Sequence, residues 1–260
     1  MLGAGRTAAY LDVDGFVITL TTAEVPLLPN AIRLAARAGA LTAPARGSRA
    51  RLAGGLIQAE GLTVHWDAAR PPLWEPRALI CSPGDRPAVL ARAAALSELS
   101  SQLEVGLLDA DPSAATAAQL LWQAVAGEDG TALAQAAEAL IGRGGGLTPE
   151  GDDLLAGTVA TVLAWAPAFG RATPPVWLTA LPFGDIRRRT TAISATLLEL
   201  ALSGCAAETL AAVLDVKSGD GRWQRDWRLL LRVGHSTGPA LALAAARTAS
   251  NLLSSQRHQM

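Results

Sequence analysis

From about residue 87 onward the apolar residues recur at helical spacing, and nearly all of them are Ala, Leu or Val. That pattern commits most of the chain to helices. Half of the sequence is hydrophobic but only 4% is aromatic, so the helices must meet through small side chains and can approach closely. The spacing predicts helices over 87–103, from Asp111-Pro112-Ser113 through Leu120, Leu121 and Val125, and over 131–141, 149–166, 186–203, 206–216, 222–233 and 238–254. Residues 1–85 read differently. Val13 to Leu20 is a β-type run, and Leu52 to Ile57 and Leu62 to Trp66 bracket a hairpin turn at Glu60-Gly61. Ala31, Leu34, Ala35 and Ala38 interrupt these strands with a helical pattern over 27–40, and Pro71, Pro72, Pro76 and Pro83-Gly84 punctuate the stretch between the hairpin and the first long helix. The expected fold class is therefore α+β: a mostly β N-terminal unit (1–86) packed on a larger all-α helical array (87–260). No low-complexity linker separates the two, which predicts a shared interface.

Several function classes are excluded at this stage. The formal charge is −1, and Arg187, Arg188 and Arg189 form the only basic run, so there is no general field for nucleic acid or an anionic membrane. Cys81 and Cys205 are too few and too far apart for a disulfide framework or zinc site, and read as reduced thiols. The most apolar stretch, Leu154 to Phe169, falls short of the roughly 20 residues that a membrane span requires. The N-terminus reaches Asp12 and Asp14 without an apolar signal core. The expectation is a cytoplasmic protein with neither membrane nor nucleic-acid partners.

The most informative segment is Gly142-Arg143-Gly144-Gly145-Gly146-Leu147-Thr148-Pro149-Glu150-Gly151-Asp152-Asp153. Clustered glycines are entropically costly, and suit places where backbone takes positive φ or approaches a ligand. This loop runs into a helix N-terminus, whose free N–H groups and dipole favour an anion. It is neither a Walker loop, lacking Gly-Lys-Ser/Thr, nor a dinucleotide fingerprint, since a helix precedes it. A purely structural account makes Thr148 the N-cap and Pro149 the first helical residue, with Glu150 complementing the dipole. It leaves the glycines, Gly151 and the paired aspartates unexplained. Glu150 and Asp153 share a helix face, where their charge would repel a phosphate unless a hard cation such as Mg²⁺ intervened. Gly144, Gly145, Gly146, Thr148 and Gly151 are therefore candidate ligand contacts. Asp152 and Asp153 are candidate catalytic or metal-binding carboxylates, and Mg²⁺ is the candidate cofactor.

A second loop repeats the design. Gly234-His235-Ser236-Thr237-Gly238 aligns with the first, pairing Gly146-Leu147-Thr148 with Gly234-His235-Ser236 and Gly151-Asp152-Asp153-Leu154 with Gly238-Pro239-Ala240-Leu241. Two helix N-termini aimed at one cleft would form an anion cradle, with Gly234, Ser236 and Gly238 as contacts. His235 is a candidate acid or base, although a lone histidine is more often structural. Between the loops, Arg188 with Thr191 and Ser194 forms a candidate fork for a carboxylate or phosphate; a solvated basic turn is the equal alternative.

Gly-Leu-Thr-Pro-x-Gly-Asp-Asp, then Thr-Thr-x-x-Ser, then Gly-His-Ser-Ser/Thr-Gly, in that order, resembles the AllH family, whose namesake is a subunit of bacterial oxamate carbamoyltransferase in allantoin breakdown. Pro26-Leu27-Leu28-Pro29-Asn30 is also similar to the family's N-terminal segment. Gly146, Thr148, Gly151, Asp152, Asp153, Thr191, Ser194, Gly234, Ser236 and Gly238 match the pattern. The resemblance implies carbamoyl transfer, with carbamoyl phosphate and a small 2-oxo acid amide as substrates, and companion subunits. Two features depart from it: Ala240 stands where the family has an aspartate, and Arg143 lies within the glycine loop. The alternatives are a Mg²⁺-dependent phosphoryl-transfer or hydrolytic enzyme, and a non-catalytic ligand-binding subunit that has lost the carboxylate at 240.

Overall fold

The computed structural model describes all residues except 43, 68, 70–73, 79, 218–220 and 255–260. Pro71 and Pro72 thus lie outside the described residues. The N-terminal strands form two small sheets. β1 (Gly3–Ala4), β2 (Ala8–Val13), β3 (Phe16–Thr21) and β4 (Ala31–Arg33) lie in that order, antiparallel except for the parallel β3–β4 pair. β5 (Arg51–Ala53), β6 (Leu56–Ala59) and β7 (Leu62–His65) make an antiparallel meander whose second turn is the expected Glu60-Gly61 hairpin. Ala9, Leu11 and Leu20 of the first sheet pack with Ile57, Ala59 and Leu62 of the second.

Three expectations fail here. Leu52 to Ile57 is not one strand: Gly54 and Gly55 take positive φ and turn β5 back on β6. Val13 to Leu20 is not one strand: Asp14 and Gly15 take positive φ and turn β2 back on β3 as a tight hairpin. Residues 27–40 contain no helix. The Ala-rich pattern is overridden by pairing, because Ala31–Arg33 completes the sheet beside Thr19–Thr21.

The helices come in the expected array: α1 (Arg86–Ser100), α2 (Gly106–Ala110), α3 (Pro112–Gly127), α4 (Gly130–Leu140), α5 (Glu150–Trp165), α6 (Ile186–Arg189), α7 (Ala192–Leu202), α8 (Glu208–Leu214), α9 (Trp223–Leu230) and α10 (Thr237–Ser254). Asp111 caps α3 through the amides of Ser113 and Ala114, and Asp129 caps α4 through those of Thr131 and Ala132. The single helix expected over 186–203 is broken. Thr190 is extended, and Thr191 caps α7 by accepting from the Ser194 amide. The break has a physical cause, since the Thr190 hydroxyl is drawn to the Asp152 carboxylate.

α5 is the axis of the molecule. Only Glu150 and Ala156 of its residues are even half-exposed. It crosses α10 where Gly157 removes a side chain: a Cβ there would stand 2.8 Å from that of Ala244 and 2.9 Å from the Leu241 carbonyl oxygen. The Thr248 hydroxyl donates to that of Thr158 across the same seam. The β unit docks on α7, with Val17 packed against Ile193 and Leu197 and its amide donating to the Thr196 hydroxyl. The Leu27 amide donates to Glu208 at the start of α8. Among the described residues no helix is long and apolar enough to cross a membrane.

Candidate functional site

The glycine loop lies between the end of α4 and the start of α5. Gly142, Gly144 and Gly146 all have positive φ, at 72°, 104° and 89°. Each end of the loop is fastened. The Gly142 amide donates to Asp152 Oδ1 at 2.8 Å, the Arg143 amide to the Leu140 carbonyl, and the Gly151 amide to the Arg143 carbonyl. Arg143, unexpected in this loop, forms an ion pair with Asp111 at 3.2 Å. Between these anchors the amides of Gly144, Gly145, Gly146, Leu147 and Thr148 meet no acceptor among the described residues. The first four of these residues are exposed, and Thr148 is half-buried. Five consecutive free N–H groups, with alternate glycines at positive φ, lead directly into the positive end of a 16-residue helix. Nothing lies within 4 Å of a Cβ built on Gly145 or Gly146, so the outer edge of the loop is open.

The carboxylates are arranged otherwise than expected. Glu150 turns away to accept the Leu107 amide at the start of α2. Asp152 is buried and fully engaged, with one oxygen on the Gly142 amide and the other accepting from the Thr190 hydroxyl. Burial raises its pKa, against the opposing pull of Thr190, Gly142 and Ser194. Asp153 is 3% exposed, and its Oδ2 has no partner among the described residues. Burial first, and then the neighbouring Asp152 charge, push its pKa well above the ordinary value; the hydroxyls of Thr237 and Thr148 offset this only in part. Glu150 and Asp152 are thus held by donors of the protein, and burial disfavours the charged form of Asp153. Among the described residues no group of three or more His, Cys, Asp or Glu is placed to hold a metal ion.

Thr148 is not the N-cap. Pro149 holds that position, and the Thr148 hydroxyl instead meets that of Thr237 at 2.6 Å, joining the start of α5 to the start of α10. The second loop does mirror the first. Gly151 crosses the last residue of α4, and its Cβ would fall 2.1 Å from the Leu140 carbonyl oxygen. Gly238 crosses the last residue of α9 in the same way, 2.0 Å from that of Leu230. Both glycines are buried, so their missing side chains are required by helix packing. Gly234 takes positive φ, and the Ser236 carbonyl accepts from the Ala240 amide. Ala240, the counterpart of Asp153 in this pairing, is fully buried in the core.

Thr191 donates to the Leu147 carbonyl at 2.6 Å and so clasps the outer loop, while Ser194 is buried beside Asp152. Arg187 is bound to the Gly15 carbonyl and Glu199, and Arg189 to Glu138. The guanidinium of Arg188 is exposed and has no partner among the described residues, and the same holds for the imidazole of His235. Sequence reasoning does not reach Thr190 and Thr237. Each stands next to a candidate residue, in Thr-Thr and Ser-Thr pairs where either hydroxyl could serve.

No curated protein and no solved structure matches this chain. The segment that carries the glycine loop, the Thr-Thr-x-x-Ser helix start and the second loop is recognised: residues 140–248 match the family model of the oxamate carbamoyltransferase subunit AllH.

Proposed function

We propose that this chain is a subunit of the carbamoyl-transfer type that holds the phosphate of a small phosphate-bearing substrate on the amides of Gly144–Thr148. The observation that carries this reading is the run of five unbonded N–H groups leading into α5, while the amides of Gly142, Arg143 and Gly151 on either side are paired. The match to the oxamate carbamoyltransferase subunit supplies the reaction class. In such a reaction the nitrogen of a small acid amide attacks the carbamoyl carbon. The bond from that carbon to the phosphate oxygen breaks, the phosphate leaves with the electron pair, and the nitrogen gives up its proton to the departing phosphate. Negative charge grows on the leaving oxygens, where preorganised amides and a helix end stabilise it best. The exposed Arg188, three residues before the Thr191 that clasps the loop, would serve as a counter-charge. Asp152 is a positioning residue that fixes the loop through Gly142 and the α7 start through Thr190. Companion subunits would supply the rest of the catalytic machinery.

The test is calorimetric titration with carbamoyl phosphate and inorganic phosphate in the absence of Mg²⁺. Gly145→Val introduces a branched side chain in the middle of the amide run, at a position with free space around it. Wild type is expected to bind both ligands. The variant should fold with unchanged stability and bind each at least about tenfold more weakly, a loss of about 1.4 kcal/mol. Equal affinities in the two proteins would refute the assignment.

A further inference from the structure

We infer that the cavity beside Asp153 is a subsite for a small uncharged amide or carbonyl group, with the Asp153 carboxyl as its hydrogen-bonding partner. This deepens the reading above, and rests on it for the identity of the whole substrate. The cavity measures about 30 Å³ and lies among α5, α7, α8, α10 and the Leu28-Pro29 turn. That is room for about two waters, or for the two or three atoms at the head of a small molecule. Its lining is mostly apolar, with Leu28, Leu197, Leu210 and Leu241 prominent, and includes Asp153, Thr237 and the Cys205 thiol.

Three observations point to a ligand. Asp153 Oδ2 is buried without a partner among the described residues, and such an atom costs free energy unless something hydrogen-bonds to it. Thr237, which lines the cavity, is held by Thr148 at the end of the free amide run, so the cavity adjoins the proposed anion loop. Leu28, Pro29 and Ala156 are only half-buried, which leaves the wall thin on one side. The apolar lining selects the chemistry, because an ion entering it would lose its hydration among side chains that are mostly apolar. A planar amide head fits better, as a carboxyl group can both donate to its carbonyl and accept from its N–H. Burial raises the pKa of Asp153 and so favours the carboxyl form that this pairing uses.

Formamide and formate have the same shape and differ in charge, which makes them suitable probes. The experiment is a methyl-detected NMR titration of the full chain at pH 7, following Leu28, Leu197, Leu210 and Leu241, with inorganic phosphate as a separate arm. Formamide is expected to shift these methyls saturably and formate to leave them unmoved. Asp153→Asn, which preserves shape and hydrogen bonding, should keep formamide binding within about threefold of wild type, and Asp153→Ala should weaken it about tenfold. Methyls that ignore formamide, follow formate equally, or respond alike in wild type and Asp153→Ala would overturn the inference, and so would loss of formamide binding in Asp153→Asn. If Asp153→Ala does not fold, the formate contrast and Asp153→Asn still decide. Phosphate failing to bind while formamide binds would remove the loop assignment and leave this subsite standing.

Discussion

Asp152 and Asp153 are neighbours with opposite employment, and their surroundings explain it. Asp152 has found an amide and a hydroxyl within reach and fastens the loop to α5 and α7. Asp153 faces an apolar cavity, and burial holds its pKa well above that of an unfolded chain. A carboxyl whose folded pKa is raised favours the folded state most fully below the ordinary carboxylate value, and that contribution is lost as pH climbs through the folded value. Stability should therefore decline from about pH 4 upward, by at most about 1.4 kcal/mol per pH unit for this one proton. Asp153→Asn removes the titration. Urea unfolding across pH 4–8 should give a flatter profile for the variant, with its stability relative to wild type growing as pH rises. Parallel profiles would mean that Asp153 is ionised in the folded protein.

At the scale of elements, the site depends on three glycine crossings. Gly151 and Gly238 lie against the carbonyls that end α4 and α9, and Gly157 sets the distance between α5 and α10. Substituting Ala at Gly151 or Gly238 forces backbone apart and is expected to cost more than about 2 kcal/mol, whereas Gly157→Ala, which crowds one methyl and one carbonyl, should cost about 1–3 kcal/mol. Gly145→Ala, with open space around it, should be neutral within about 0.5 kcal/mol. Chemical denaturation of the four variants would order them; equal losses at all four would show that the helices do not meet as described. These elements also mark how far the sequence is legible. The periodicity locates most of the helices, and the caps at Asp111 and Asp129 are local and readable. The break at Thr190-Thr191 is not, because it is made by Asp152, which is distant in sequence. Similarly, Ala31–Arg33 looks helical alone and becomes a strand only because β3 is beside it. The positive-φ turn at Asp14-Gly15 is local, and an Asp-Gly pair between β-type residues is sufficient signal for it.

Across the whole molecule, two loop-to-helix junctions of the same design are brought together by α5 and α10, and joined through Thr148 and Thr237. The repeat is visible in the sequence, and so is the glycine run that supplies the free amides. The fate of the acidic residues is not, since it turns on Leu107, Gly142 and Thr190, none of which is adjacent to them in the chain. The departure at Ala240 has a structural counterpart: the position equivalent to Asp153 in the second junction is fully buried and apolar, so only the first junction keeps a carboxyl. A site built in this way should bind its anion through backbone rather than through charged side chains. The most direct measurement is an amide-detected NMR titration of the full chain with inorganic phosphate. Saturable shifts concentrated at Gly144, Gly145, Gly146, Leu147 and Thr148, and unchanged by added Mg²⁺, are the predicted result. Shifts confined to the Arg187–Arg189 turn, or none in the loop at saturating phosphate, would contradict it.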